Sequence, residues 1–185
     1  MPIDELIDLL NINNRTNPTN YILLNDAIKK IDTENITTNK LTSIWCEYEV
    51  MFMIKLYQSG FKKDCYTIKQ SESKYHNIDF VITNIHTKKK VYIELKTRAS
   101  EYEKYENYFI GTTKIHNIKH TALTPCLLCW DFKNLNNIYF MKYDYDYIQT
   151  CNKNVMCGSW VYDIPKSKMT CGWNILLDTI HSLID

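Results

Sequence analysis

Glycine is scarce in this sequence: four residues in 185, beside four prolines and only two arginines, Arg15 and Arg98. So few glycines leave no Gly-rich loop able to cradle phosphates, which excludes P-loop and dinucleotide-binding fingerprints. No run of about 18 apolar residues occurs and no apolar leader stands at the N-terminus, so neither membrane spanning nor secretion is expected. Cysteine is present but follows no framework: seven thiols, an odd number, are scattered along the chain. That pattern argues for reduced thiols in an intracellular protein. A formal net charge of +1 makes the chain no general polyanion binder. What is abundant is Asn, Ile, Lys and Tyr, a usage that suits translation from an AT-rich genome, viral or microbial, and says nothing of activity.

A length of 185 residues with 45% hydrophobic content suits one domain with a core of its own. No repeat or low-complexity segment interrupts it. Charge is nevertheless uneven. Between His86 and His120 eight basic residues (Lys88, Lys89, Lys90, Lys96, Arg98, Lys104, Lys114, Lys119) face four acidic ones (Glu94, Glu101, Glu103, Glu106), a local excess of +4. Such an excess attracts phosphates, although a solvated lysine-rich face is its commoner meaning.

The polar stretch Asn11 to Asn20, with Pro18, reads as a turn between two short helices, so residues 1–40 are expected to form an N-terminal helical extension. From Leu41 to Gln58 apolar residues recur at three- and four-residue steps and Gly60 follows as a stop, which predicts a helix. Segments rich in β-branched and aromatic residues come next: Cys65 to Lys69, Ile78 to Ile85 and Val91 to Lys96. The polar segment Asn84 to Lys89 joins the last two as a hairpin. A helix is expected within Glu101 to His120, strands at Cys126 to Phe132 and Ile138 to Tyr143, an edge strand at Trp160 to Ile164, and an amphipathic helix at Asn174 to Ile184. The order predicts a mixed α/β sheet covered by helices over residues 41–185.

The chemistry-bearing stretch is His76-Asn77-Ile78-Asp79-Phe80-Val81-Ile82, followed after the turn by Val91-Tyr92-Ile93-Glu94-Leu95-Lys96-Thr97. Glu94 and Lys96 are two apart on one strand and so share a sheet face. Hairpin pairing brings the start of one strand beside the end of the other, and with it Asp79 beside Glu94 and Lys96. Three ionisable groups converging among Ile, Val and Phe are costly unless they pair or hold an ion. Two carboxylates supply hard oxygen ligands for Mg²⁺ or Mn²⁺ and leave positions for water and a phosphate. A neighbouring lysine can orient the attacking water or stabilise charge in the transition state. A Glu–Lys pair on the solvent side of a hairpin is the bland alternative; the upstream Asp79 and the preceding long helix argue against it.

Asp79 followed by Glu94-Leu95-Lys96 resembles the motif of the PD-(D/E)XK nuclease superfamily, which includes restriction endonucleases and archaeal-type Holliday junction resolvases. Ile78 stands where the proline of that name would be, a position that varies widely in the superfamily. The helix–three-strand–helix–strand order over Leu41 to Tyr143 agrees with it. The resemblance implies a restriction endonuclease-like three-layer core, metal-dependent phosphodiester hydrolysis, and a further metal-supporting glutamate on the first core helix. Glu49 fits that role best, on a stripe with Trp45, Phe52, Met53 and Leu56, with Glu47 as the competing choice. It also implies that the helix after Glu94–Lys96 flanks the site, which makes Lys114 and Lys119 candidate phosphate contacts.

Thr97 and Arg98 directly follow Lys96 and are placed to touch backbone phosphates. His76 is a loop histidine or, as in some RNA nucleases of that resemblance, an added metal ligand. Cys126 and Cys129 form a C-x-x-C like that of iron–sulfur relatives, but three residues apart on a strand they face opposite sides, which favours two buried thiols. Tyr143, Tyr145 and Tyr147 suit either base stacking or packing. The expected function is an Mg²⁺- or Mn²⁺-dependent endonuclease acting on duplex or branched DNA, acting as a homodimer where both strands are cut. An RNA endonuclease and a catalytically silent nucleic-acid-binding module are the alternatives.

Overall fold

The computed structural model describes residues 52, 53, 55, 56, 59–62, 64–71, 77–98, 104–132 and 137–185. The 1–40 extension, Glu47, Glu49 and His76 lie outside them. Phe52, Met53, Lys55 and Leu56 are helical, and Gly60 takes φ 100° where the sequence places a helix stop. That left-handed conformation carries little penalty only for glycine.

Three strands follow, β1 (Tyr66–Gln70), β2 (Phe80–Asn84) and β3 (Lys90–Arg98). β1 and β2 are antiparallel, and β2 and β3 form the expected hairpin, with Phe80 opposite Ile93 and Ile82 opposite Val91. Strand β4 (Asn107–Gly111) and helix α1 (Thr112–His120) carry the chain over to β5 (Cys126–Phe132), which pairs parallel to β3. The antiparallel strands β6 (Ile138–Lys142) and later β9 (Thr170–Cys171) complete a six-stranded mixed sheet, β1-β2-β3-β5-β6-β9. Between β6 and β9 come α2 (Tyr145–Thr150) and the hairpin β7 (Lys153–Met156) and β8 (Ser159–Pro165). Helix α3 (Trp173–Ile184) closes the chain.

Alternation along β3 sorts the layers. Val91, Ile93 and Leu95 face one core with Phe80, Leu127 and Phe140, covered by the early helix (Phe52, Met53, Leu56) and by Trp173, Leu176 and Ile180 of α3. Leu128, Trp130 and Phe132 face the other core, covered by Ile115 and Ile118 of α1, Ile148 of α2, and Tyr108, Ile110, Tyr162 and Ile164 of β4 and β8. β5 is buried along its whole length, as a central strand with both faces covered should be.

The helix expected within Glu101 to His120 is Thr112–His120, and the strand Asn107–Gly111 stands before it in the same stretch. One expectation needs correction. The segment around Trp160 to Ile164 is not an edge of the main sheet. β8 is the central strand of a separate three-stranded sheet, β4-β8-β7, that covers the second core. Tyr108 and Ile110 point inward at a period of two, which seats β4 as a strand despite the charged residues before it.

Candidate active site

At the end of the β2–β3 hairpin the backbone ladder runs out and a side chain continues it. Asp79 N–H donates to the Ile93 carbonyl (2.9 Å), and Asp79 Oδ2 accepts the Leu95 N–H at 2.6 Å. One carboxylate oxygen is thereby fixed against β3, while Oδ1 has no hydrogen-bond partner among the described residues. Since Phe80 lies opposite Ile93, Asp79 lies one step further, beside Glu94 and on its face of the sheet.

Glu94 itself is fully buried, at 0% exposure. It sits on β3 opposite Leu128 of β5, on the face that packs against α1. A bare carboxylate there would be prohibitive, and two ammonium groups offset the cost. Lys96, two residues along the strand, reaches Oε1 at 2.5 Å, and Lys114, from the first turn of α1, reaches Oε2 at 2.8 Å. Lys114 is the partner that the buried Oε2 meets among the described residues. Burial pushes the Glu94 carboxyl up from 4.5 to about 7. Lys96 and Lys114 pull it down, and the nearby charge of Asp79 pushes it up.

The donor set fits a hard divalent cation. Asp79 and Glu94 present carboxylate oxygens on one face, and Oδ1 of Asp79 is not committed to a hydrogen bond among the described residues. Among the described residues no group of three or more His, Cys, Asp or Glu side chains converges on one point. Two protein carboxylates with water completing the shell is the arrangement Mg²⁺ favours.

The remaining expected residues do not all share the face of Glu94. Arg98 is half-buried and donates through Nη2 to the Phe109 carbonyl, which ties β3 to β4; burial lowers its pKa. Thr97 faces the opposite side of β3, opposite Asp131 of β5. Lys119 is exposed on α1, its Nζ 4.9 Å from the Tyr145 ring centroid.

Cys126 and Cys129 are both buried and contribute to opposite cores, with burial raising both thiols far above their ordinary range. They are packed thiols on two sides of one strand. Tyr143, Tyr145 and Tyr147 pack against the second core, and the Tyr143 hydroxyl donates to the Ile115 carbonyl at 2.9 Å. Sequence reasoning missed one buried pair: Asp131, 7% exposed, meets Lys55 at 3.4 Å on the face away from Glu94. Its signal was an aspartate inside the otherwise apolar run Cys126 to Phe132.

By sequence, neither a profile of a known protein family nor a curated protein matches the chain. By structure, a nuclease from a fusselovirus superposes with a TM-score of 0.53 over 77% of this chain and 95% of its own length, at 13% identity. The likeness shows the fold, a restriction endonuclease-like mixed α/β sheet flanked by helices. Holliday junction resolvase Hjc of Archaeoglobus fulgidus also matches, at a TM-score of 0.39 and 10% identity over 64% of this chain and 82% of its own. On this scaffold Asp79, Glu94 and Lys96 occupy the end of the central hairpin, and Lys114 joins them from the crossover helix.

Proposed function

We propose that the chain is a divalent-metal-dependent endonuclease that hydrolyses phosphodiester bonds in DNA. The observation that carries this reading is a fully buried glutamate clamped by two lysines, next to an aspartate that caps the same hairpin. A structural salt bridge does not need four charged groups at one end of a central hairpin, and so costly a cluster points to a functional site. The likeness to a viral nuclease supports the same reading through the fold.

Asp79 and Glu94 would hold Mg²⁺ or Mn²⁺, with Glu49 as a further support for its hydration shell. The ion, when bound, lowers the pKa of its water and neutralises charge on the phosphoryl oxygens. Asp79 serves as a rigid ligand because the Leu95 N–H fixes its orientation. Lys96, held beside Glu94, orients the attacking water and offsets charge that develops in the transition state. Arg98, Lys114 and Lys119 supply contacts to backbone phosphates, and Thr97, which faces the other side of β3, does not. With one such site per chain, cutting both strands of a duplex requires a homodimer or two successive events.

The test is incubation of purified protein with supercoiled plasmid, a four-way junction and single-stranded RNA, in Mg²⁺, Mn²⁺ or EDTA, beside the Asp79→Asn and Lys96→Ala variants. Cleavage of either DNA that needs metal and is lost in both variants is the expected outcome. Cleavage that persists in both variants refutes the site. Cleavage of RNA alone replaces DNA with RNA as substrate, and binding without cleavage in any metal replaces the enzyme with a silent binding module.

A further inference from the structure

Lys114 stands in a place that the hydrolytic reading alone does not require. Lys96 is bound to stay near Glu94, since both project from the same face of one strand, two residues apart. Lys114 comes from a separate element, twenty residues later, and closes on the other oxygen of the same carboxylate. The described cluster then holds two carboxylates and two ammonium groups, a formal charge of zero when all are ionised.

A divalent ion on Glu94 needs an oxygen lone pair that faces Asp79 or solvent. Oε1 is committed to Lys96 by a short contact of 2.5 Å. Oε2 is the oxygen that Lys114 holds, its ammonium 2.8 Å away. An ammonium at that distance takes up the position and the charge that a cation on Oε2 would take. Lys114 can also move without its helix. Its helix is anchored by Ile115 and Ile118, both buried, so a swing of the flexible four-carbon stem moves the amine without moving α1. The side chain is 21% exposed, so its exit to water is open.

We infer that Lys114 is a displaceable latch: its ammonium holds Glu94 in the metal-free protein, is expelled when a divalent ion binds, and is thereby released to a substrate phosphate. This rests on the metal-site reading above and adds an order to it. Metal comes first, and Lys114 is available to the phosphodiester only afterwards. The latch keeps the buried carboxylate compensated at all times, by lysine or by metal. Metal binding and phosphate binding become coupled through one side chain, and by linkage each strengthens the other.

The experiment uses the full chain without substrate, so cleavage is not its readout. Lysine acetylation by a water-soluble acylating reagent is quantified by mass spectrometry in EDTA and in saturating Mn²⁺, with exposed Lys88 as the internal reference. Acetylation at Lys114 is expected to rise several-fold with Mn²⁺ while Lys88 stays constant. Calorimetric titration of Mn²⁺ gives the second readout. If the latched form holds about nine molecules in ten, Lys114→Met tightens Mn²⁺ binding by about tenfold, because the competent fraction rises from roughly 0.1 to 1. Lys114→Arg, which keeps a cation, binds as wild type or more weakly.

Wild-type protein that binds Mn²⁺ with unchanged or reduced acetylation at Lys114 overturns the latch and leaves the metal site standing. Wild-type protein that binds no Mn²⁺ overturns both. Should Lys114→Met fail to fold, the labelling of wild type decides alone.

Discussion

Replacement of Glu94 by glutamine changes how stability depends on pH, and the buried position fixes the sign. Burial raises the Glu94 carboxyl from 4.5 to about 7 in the folded chain. A raised acid pKa means that the folded state binds the proton more tightly than the unfolded state. The metal-free protein therefore has its full stability from this group below about 4.5, and loses it as pH climbs through the window up to about 7. Each pH unit inside that window costs about 1.4 kcal/mol, so between pH 5 and pH 8 the loss from Glu94 alone is about 2.5 kcal/mol. Glutamine does not titrate, so Glu94→Gln should gain about 2.5 kcal/mol relative to wild type over that interval. Asp131, also raised by burial, contributes equally to both proteins and cancels. The assay is urea denaturation of both chains in EDTA at pH 5, 6, 7 and 8. Because Gln also weakens the two lysine contacts, a constant offset is expected; the slope is what matters. A difference between variants that stays flat from pH 5 to 8 refutes the raised carboxyl. Metal binds only the ionised form, so Mn²⁺ affinity should also rise about tenfold per pH unit below 7 and level off above it.

Asp79→Asn keeps an acceptor for the Leu95 N–H, so it should fold as wild type yet lose metal affinity. Asp79→Ala, which orphans that N–H, should cost a further 1–3 kcal/mol or so by denaturation; equal stability of the two variants would refute the ladder role. Arg98→Ala removes the donor to the Phe109 carbonyl that ties β3 to β4. It should lower stability by about 2 kcal/mol, and a loss below about 0.5 kcal/mol would show that the tether carries nothing. Native thiol titration should modify exposed Cys157 quickly and reach Cys126 and Cys129 only after unfolding. Fast modification of either buried thiol would contradict their packing on opposite faces of β5.

The central sheet was legible because its strands obey simple patterns. Cys126 to Phe132 reads as a strand from a seven-residue run that is apolar except for Asp131, and it is buried throughout. Phe80, Ile82, Val91 and Ile93 alternate, and the pairing of Phe80 with Ile93 follows from a turn of fixed length. The second sheet was not legible for equally specific reasons. All four residues of β7 are exposed, so Lys153 to Met156 carries no inward face for a pattern to report. In β4 the alternating Tyr108 and Ile110 carry a signal, but over only five residues and directly before a helix in the same stretch. The tyrosines at 143, 145 and 147 alternate like a strand, yet α2 begins at Tyr145, with the Asp144 side chain accepting the Tyr147 N–H as its cap. A single capping aspartate outweighed a period-two pattern.

The site divides along the same line between local and distant information. Glu94 and Lys96 share a face because they are two apart on a strand, and Asp79 joins them because a hairpin brings strand ends together; all of that is contained in about eighteen consecutive residues. Lys114 is different. Its separation from Glu94 says nothing of contact, since their meeting depends on β4 turning away into the second sheet so that α1 starts over the β3 face. A sequence reading places Lys114 near the site only by analogy with a flanking helix and then assigns it to phosphate. Its bond to the buried carboxylate is a property of the tertiary packing, and so is the charge balance that makes Glu94 tolerable at zero exposure. The motif therefore states which atoms can carry the chemistry, whereas the crossover through the small sheet determines that a second ammonium, that of Lys114, meets the buried carboxylate.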